Sequence, residues 1–393
     1  MNCYPMIFVH GYNGWGSGEG LNGLLPYWGA TTGDLMKYLQ FKGYDCFSAS
    51  VGPVSSAWDR ACELYAQLTG TTVDYGEAHS RKYGHKRYGR TYNKPLFDGW
   101  NETKKVHLIG HSFGGTTVRL LTHLLTNGSE EEIAASGDDV SPLFTGGKEY
   151  LIASVTTICT PHNSSSIYKM VKSFKLYEMM FLVTALYCGT LGRTRLNGNI
   201  VDFHLEQFGL TNTPGKKDAD SYMKSILRFL KNNSDTCEHD LLPESTENIN
   251  NTIKISPGVF YFSYAFNSMN AGKLPMPVMG SNPIIAPLGF WMAHQKLFTN
   301  EKTGQYYGKE WKANDLLCNT VSEKYPFGEP HTDYYGKDVK PGIWNVMPVQ
   351  KGDHGTAIGL FADRQKTQSF YIELAELLSA IENKKENENG QKT

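Results

Sequence analysis

The sequence has no C-x-x-C pair, and its seven cysteines stand apart at positions 3, 46, 62, 159, 188, 237 and 318. An odd, unclustered set excludes a disulfide framework and a cysteine zinc cluster as organising devices. No charge of one sign dominates: 38 Lys and Arg stand against 39 Asp and Glu, for a net charge of −1. Such a chain has no global field to draw it to nucleic acid or to an anionic membrane. No apolar run reaches the roughly 20 residues that span a bilayer. The longest, MMFLVTALYC at 179–188, has 10 of 10 residues uncharged but only half the needed length, so no transmembrane segment is expected. The start, MNCYP, lacks the basic region of a signal peptide. The chain is expected either to remain in the cytoplasm or to begin after a cleavage point.

What is present is an alternation of apolar runs and helical patterns. PMIFVHG (5–11), DCFSASV (45–51), KVHLIG (105–110), EYLIASVTTICT (149–160) and GVFYFSYAF (258–266) read as buried strands. GDLMKYLQFKGY (33–44), SSAWDRACELYAQL (55–68), GGTTVRLLTHLLTNG (114–128) and SFYIELAELLSAIENKK (369–385) read as amphipathic helices. Ser56, with Asp59 three positions on, has the spacing of a capping box. Strands alternating with helices predict an α/β fold, a mostly parallel sheet covered on both faces. One domain over 1–385 is expected, with insertions at about 55–100 and 163–255 and a disordered tail at 386–393.

VHLIGHSFGGTTVRLL (106–121) carries the chemistry. G-x-S-x-G between a buried strand and a helix is the pattern of a nucleophile elbow, which exposes a serine on a strained turn. Ser112 is the candidate nucleophile. FVHGYNGWG (8–16) supplies an HG pair at the end of an early strand, where such hydrolases place an oxyanion amide. The backbone N–H groups of Tyr12 and Phe113 would then face the developing oxyanion. A serine needs a base, and His354, in the glycine-flanked KGDHGTAIG, is the candidate; His331 is the other late histidine. Asp315, Asp333, Asp338 and Asp353 all qualify as the acid by position, and spacing does not choose among them.

The stretches VHGYNGWG, YWGATTGDL, VGPVSSAWDRACELYAQLTGTTVDYGEAH, YGRTY, HLIGHSFGG, SPLFTGG, SVTTICTPH, WKANDLLCNTVS, GIWNVM and DHGTAIG, in this order from about residue 5 to about 360, resemble the zinc-containing thermoalkaliphilic bacterial lipases and their staphylococcal relatives. The resemblance implies an α/β-hydrolase fold with a zinc-pinned insertion and a helical lid. It implies a triad of Ser112, Asp315 and His354, and carboxylic-ester hydrolysis through an acyl-enzyme, with triacylglycerols first among substrates and bulky esters, polyesters included, as further ones. An acyltransferase on the same triad and a non-catalytic lipid-binding descendant are the alternatives.

The same resemblance implies a structural zinc ion on Asp59, His79, His85 and Asp240, pinning the 70–100 segment to the 200–255 region. His79 and His85 are six apart, so a regular helix does not present both on one face. The family's calcium site does not carry over cleanly: the matching positions are Thr356 and Phe361, with Asp363 displaced and Gly289 offering only a carbonyl, so no calcium or only weak calcium binding is expected there. Residues 164–192 align with the family's lid, with Met170, Phe174, Tyr177, Phe181 and Leu182 as its apolar face. Partners are then a lipid or ester substrate and the lipid–water interface, without nucleic acid, and the resemblance implies secretion. Phe113 stands where the family carries glutamine, and its side chain is expected to reshape the acyl pocket.

Overall fold

The computed structural model describes residues 4–169, 202–211, 219–270, 274–336 and 338–390. Seven strands form one parallel sheet: β1 (Met6–Val9), β2 (Cys46–Ala49), β3 (Val106–His111), β4 (Ile152–Ile158), β5 (Phe260–Tyr264), β6 (His331–Asp333) and β7 (Trp344–Val346). Their order is β6-β7-β5-β4-β3-β1-β2. Register is continuous through the centre: Phe8 pairs with Ser48 on one side and with Ile109 on the other.

Both faces are covered, as the unbroken apolar strands require. Within β1, Ile7 and Val9 join one core while Met6 and Phe8 join the other, the alternation of a strand. The helices α2 (Ala57–Thr69) and α3 (Phe113–Asn127) pack on the first face, with Leu64, Leu68, Val118 and Leu121 buried. The helices α1 (Leu35–Phe41) and α4 (Arg364–Gly390) cover the second, with Leu35, Leu39, Tyr371 and Leu378. The five longer strands and four helices fall where the sequence pattern places them. β6 and β7 have three residues each, too few for a period to register. α4 continues past 385 to Gly390, because ENKKENENG holds no proline and reaches glycine only there.

The 70–100 insertion is an antiparallel ribbon, Thr72–Asp74 against Tyr88–Thr91, enclosing the helix Glu77–Tyr83. Among the described residues no helix is long and apolar enough to cross a membrane. β1, β3, β4 and β5 all deliver their carboxyl ends to one edge, where open parallel sheets place their sites.

Candidate active site and metal cluster

At the end of β3 the chain turns through Ser112, whose φ of 55° and ψ of −128° lie outside the ordinary regions. The packing around the turn holds this strain in place. A Cβ at Gly110 would sit 2.4 Å from the Gly114 backbone, and one at Gly114 would sit 2.2 Å from the Val9 carbonyl. Only glycine lets α3 start this close to β1 and β3. Ser112 is held by its own N–H to Ile158 O at 2.8 Å and by Thr160 Oγ1 donating to its carbonyl at 2.9 Å.

The loop after β1 closes on the same point. A Cβ at Gly11 would lie 2.6 Å from Ser112 Cβ and 3.2 Å from its Oγ. The buried Arg60 guanidinium fixes this loop, donating to the carbonyls of His10 and Gly52 and to Thr117 Oγ1 of α3. Phe113 is the first residue of α3, so its N–H lies outside the helical ladder. The Tyr12 hydroxyl donates to Glu238 Oε1 at 2.6 Å. His10 is structural: burial first, then Arg60, hold its imidazole down at about 3.

His354 Nδ1 donates to Asp315 Oδ2 at 2.5 Å, and the His354 N–H reaches the Asp315 carbonyl at 2.8 Å. Asp315 is fully buried, and its Oδ1 also accepts the N–H groups of Leu317 at 2.9 Å and Cys318 at 2.6 Å. Burial alone would raise this carboxyl, but His354 and the two amides outweigh it and hold it below its usual range. His111, the residue before Ser112, bonds through Nε2 to the His354 carbonyl at 3.1 Å, and their rings stand 4.7 Å apart. With Tyr27 Oη 2.7 Å from its Nδ1, His111 is a bridge between the serine turn and the histidine loop. Asp353 bonds to the N–H groups of Asn282, Gly355 and Thr356 instead and shapes that loop. His331 is exposed and stacks on Tyr325.

A second cluster lies beside α2. Ligand atoms of Asp59, His79, His85 and Asp235 all fall within 4.8 Å of one another. His79 Nε2 is 3.2 Å from Asp59 Oδ1 and 3.1 Å from Asp235 Oδ2, and His85 Nε2 is 3.3 Å from Asp235 Oδ2. His85 Nδ1 meets the Lys86 carbonyl at 2.8 Å, which leaves Nε2 with its lone pair toward the cluster. The buried Asp59 Oδ1 and His85 Nε2 have no well-formed hydrogen bond among the described residues. Burial, and then Asp235, push the Asp59 carboxyl up to about 6. Two imidazoles and two buried carboxylates with facing lone pairs fit a divalent cation, whose charge resolves that conflict.

Local structure explains how the ligands meet. Ser56 caps α2 at the Asp59 N–H, at 3.2 Å, and leaves the Asp59 carboxylate to the cluster. Glu132 caps the helix Glu77–Tyr83 through the N–H groups of Ala78 and His79. Gly84, at φ 71°, ends that helix in the left-handed region, and the chain folds back to bring His85 alongside His79.

A family model described as "Lipase-like, C-terminal domain" matches residues 2–389. The chain belongs to the staphylococcal-type bacterial lipase family, an α/β-hydrolase family. It is 36% identical over 369 residues to "Lipase 2" of Staphylococcus aureus, covering 92% of this chain and 51% of that protein. The chain thus spans about half the length of the curated relatives it matches. Among solved structures, EstA from Clostridium botulinum is 36% identical with a TM-score of 0.86, covering 96% of this chain and 87% of that one. Staphylococcus hyicus lipase is 31% identical with a TM-score of 0.81, covering 97% of each chain.

For this lipase-family chain the structure revises two expectations. Asp240 is not at the metal cluster. Its Oδ2 accepts the Ala57 N–H at 2.8 Å, at the start of α2, and Asp235 takes the fourth place. The reason is the turn before it: Asn233 Oδ1 accepts the Asp235 N–H, Ser55 bridges to Thr236, and Thr236 caps the short helix Cys237–Asp240. These bonds set Asp235 toward Asp59. The Phe113 side chain, expected to shape the acyl pocket, is instead part of the core beneath the turn. Its ring is 1% exposed and sits in the core with the Arg60 guanidinium 5.5 Å from its centre.

The lid residues Met170, Phe174, Tyr177, Phe181 and Leu182 lie outside the described residues. At the positions weighed for calcium, the Gly289 carbonyl accepts from Asn314 Nδ2, Thr356 Oγ1 bonds to Asp353, and Asp363 accepts the Lys366 N–H. Two residues escaped the sequence reading: Asp235 and the buried acid Glu323, neither of which sits in a motif.

Proposed function

We propose that this protein is a serine carboxylic-ester hydrolase, a triacylglycerol lipase or esterase. The observation that carries the reading is the strained Ser112 turn joined by His111 to the Asp315–His354 pair. In the mechanism, Ser112 Oγ attacks the ester carbonyl while His354 Nε2 takes its proton. Asp315 fixes the imidazole through Nδ1 and stabilises the imidazolium. The amides of Tyr12 and Phe113 hold the oxyanion, and the preorganised Arg60 network keeps the Tyr12 loop in register. His354 returns the proton to the leaving alcohol, water takes the alcohol's place, and the acyl-enzyme is hydrolysed.

Zinc is the cation we assign to Asp59, His79, His85 and Asp235. Their donor set is that of a closed structural site, and when bound the ion supplies cross-linking, tying α2 and the 77–85 segment to the turn at 235. The protein acts on lipid or other esters at a lipid–water interface, after secretion. Bulky esters, polyesters among them, fall within the same chemistry.

The test is hydrolysis of p-nitrophenyl esters of increasing chain length by the wild type and by Ser112→Ala. The variant should lose at least about a thousandfold in kcat. A preference for long acyl chains supports a lipase, and a preference for short ones an esterase. Wild-type turnover by Ser112→Ala would end the serine reading.

A further inference from the structure

Behind the Asp315–His354 pair lies a second carboxylic acid without a task in the mechanism above. Glu323, near the end of the helix Thr320–Lys324, is fully buried. A carboxylate oxygen of Glu323, one of Asp315 and the Cys159 sulfur all lie within 4.8 Å of one another. Glu323 Oε2 accepts the Phe266 N–H at 2.7 Å. Glu323 Oε1 is buried, and no donor reaches it among the described residues.

Two carboxyl groups this close in an apolar interior do not both ionise. The donors decide which one keeps the proton. Asp315 receives His354 Nδ1–H and the N–H groups of Leu317 and Cys318. These fill three of about four acceptor positions of a carboxylate and favour its charged form. Glu323 receives a single N–H. Burial, and then the Asp315 charge, push the Glu323 carboxyl well above its ordinary range. The other titratable groups around it are His354 and the thiols of Cys159 and Cys318, both thiols held neutral chiefly by burial. A proton on Oε1 turns the one atom without a donor into a donor itself. It also gives Asp315 a further donor beside the Cys159 thiol.

We propose that Glu323 is a neutral carboxylic acid that donates a hydrogen bond to the Asp315 carboxylate and thereby positions and tunes the Asp315–His354 pair. The proposal rests on the triad reading. Glu323 touches no reacting atom; it is a positioning residue that acts through Asp315. By taking up part of the Asp315 charge, the donor reduces the stabilisation that Asp315 gives the imidazolium formed during the reaction.

Two measurements test this. Infrared difference spectra at neutral pH should contain a protonated-carboxyl C=O band that disappears in Glu323→Gln. The pH profile of kcat/KM should keep its acid limb in Glu323→Gln, whose amide still donates. In Glu323→Met, which fills the space without a donor, the limb should rise by about half a unit or more. A fall of the limb in both variants would mean that Glu323 is an anion, and would overturn the proposal. So would a limb unmoved in both, or a missing band. If Glu323→Met does not fold, the band and the Glu323→Gln limb still decide. Full turnover by Ser112→Ala would sink the triad reading separately, since the infrared band does not depend on catalysis.

Discussion

Asp235 and Asp240 stand five positions apart, and exchanging each for alanine separates a metal ligand from a helix anchor. A cation at about a thousand times its dissociation constant stabilises the folded state by about 4 kcal/mol. Unfolding entropy is about 2.1 cal/mol/K per residue, so over 393 residues that stabilisation is worth roughly 5 °C in Tm. Asp240→Ala removes the acceptor of the Ala57 N–H, a loss of about 1–3 kcal/mol, or roughly 1–4 °C. The two Tm losses lie too close together to separate the roles, and the assay must read metal. Zinc content by mass spectrometry after gel filtration is the first readout, and the change in Tm on adding a chelator is the second. The wild type and Asp240→Ala should hold about one zinc per chain and lose roughly 5 °C to the chelator. Asp235→Ala should hold none and ignore the chelator, while still hydrolysing a soluble ester at mild temperature, because no step of the proposed mechanism uses the ion. Zinc retained by Asp235→Ala and lost from Asp240→Ala would refute the assignment. Ester hydrolysis that vanished with the zinc at mild temperature would refute its structural role.

Gly11→Ala places a Cβ 2.6 Å from Ser112 Cβ; kcat on a soluble ester should fall tenfold or more while the Tm moves by only a few degrees, and an unchanged kcat would show that the loop does not abut the nucleophile. His204 lies buried between Glu63 Oε2 at 3.0 Å and Glu19 Oε1 at 3.2 Å. Burial alone would lower its pKa, but the two carboxylates outweigh burial and raise it to about 9. A raised folded-state pKa gives stability that is fully present below the unfolded value of about 6.5 and is lost as pH rises through about 9. With zinc kept bound, the wild type should lose on the order of 2–3 kcal/mol across that window by urea unfolding, and His204→Gln should lose much less; equal losses in both would put the titration elsewhere.

The elbow was legible because its parts are local. A buried strand, a serine flanked by glycines and a periodic helix follow one another within 22 residues, from Val106 to Asn127. The acid was not, since Asp315 reaches His354 across 39 positions and three other aspartates met the same spacing rule. Resemblance supplied Asp315, whose Oδ2 lies 2.5 Å from His354 Nδ1. Resemblance also pointed to Asp240, where a turn built by Asn233 and the Ser55–Thr236 bridge favours Asp235. Pattern reading has no term for such a turn. Phe113 illustrates the same limit: its position in the motif is fixed, but the direction of its ring depends on Arg60, 53 positions earlier and on another helix. Glu323 has no sequence signal at all, because a buried acid in a five-residue helix looks like any surface glutamate until the fold closes over it.

In the proposed mechanism Ser112 is the nucleophile that forms the acyl-enzyme. A p-nitrophenyl alkylphosphonate, which phosphonylates an activated serine with release of p-nitrophenol, tests this most directly when the labelled chain is digested and read by mass spectrometry. A single adduct is expected on the peptide containing Ser112, formed in step with the loss of esterase activity and absent from Ser112→Ala and His354→Ala. Inactivation with the adduct on another residue, or full activity with Ser112 labelled, would contradict it.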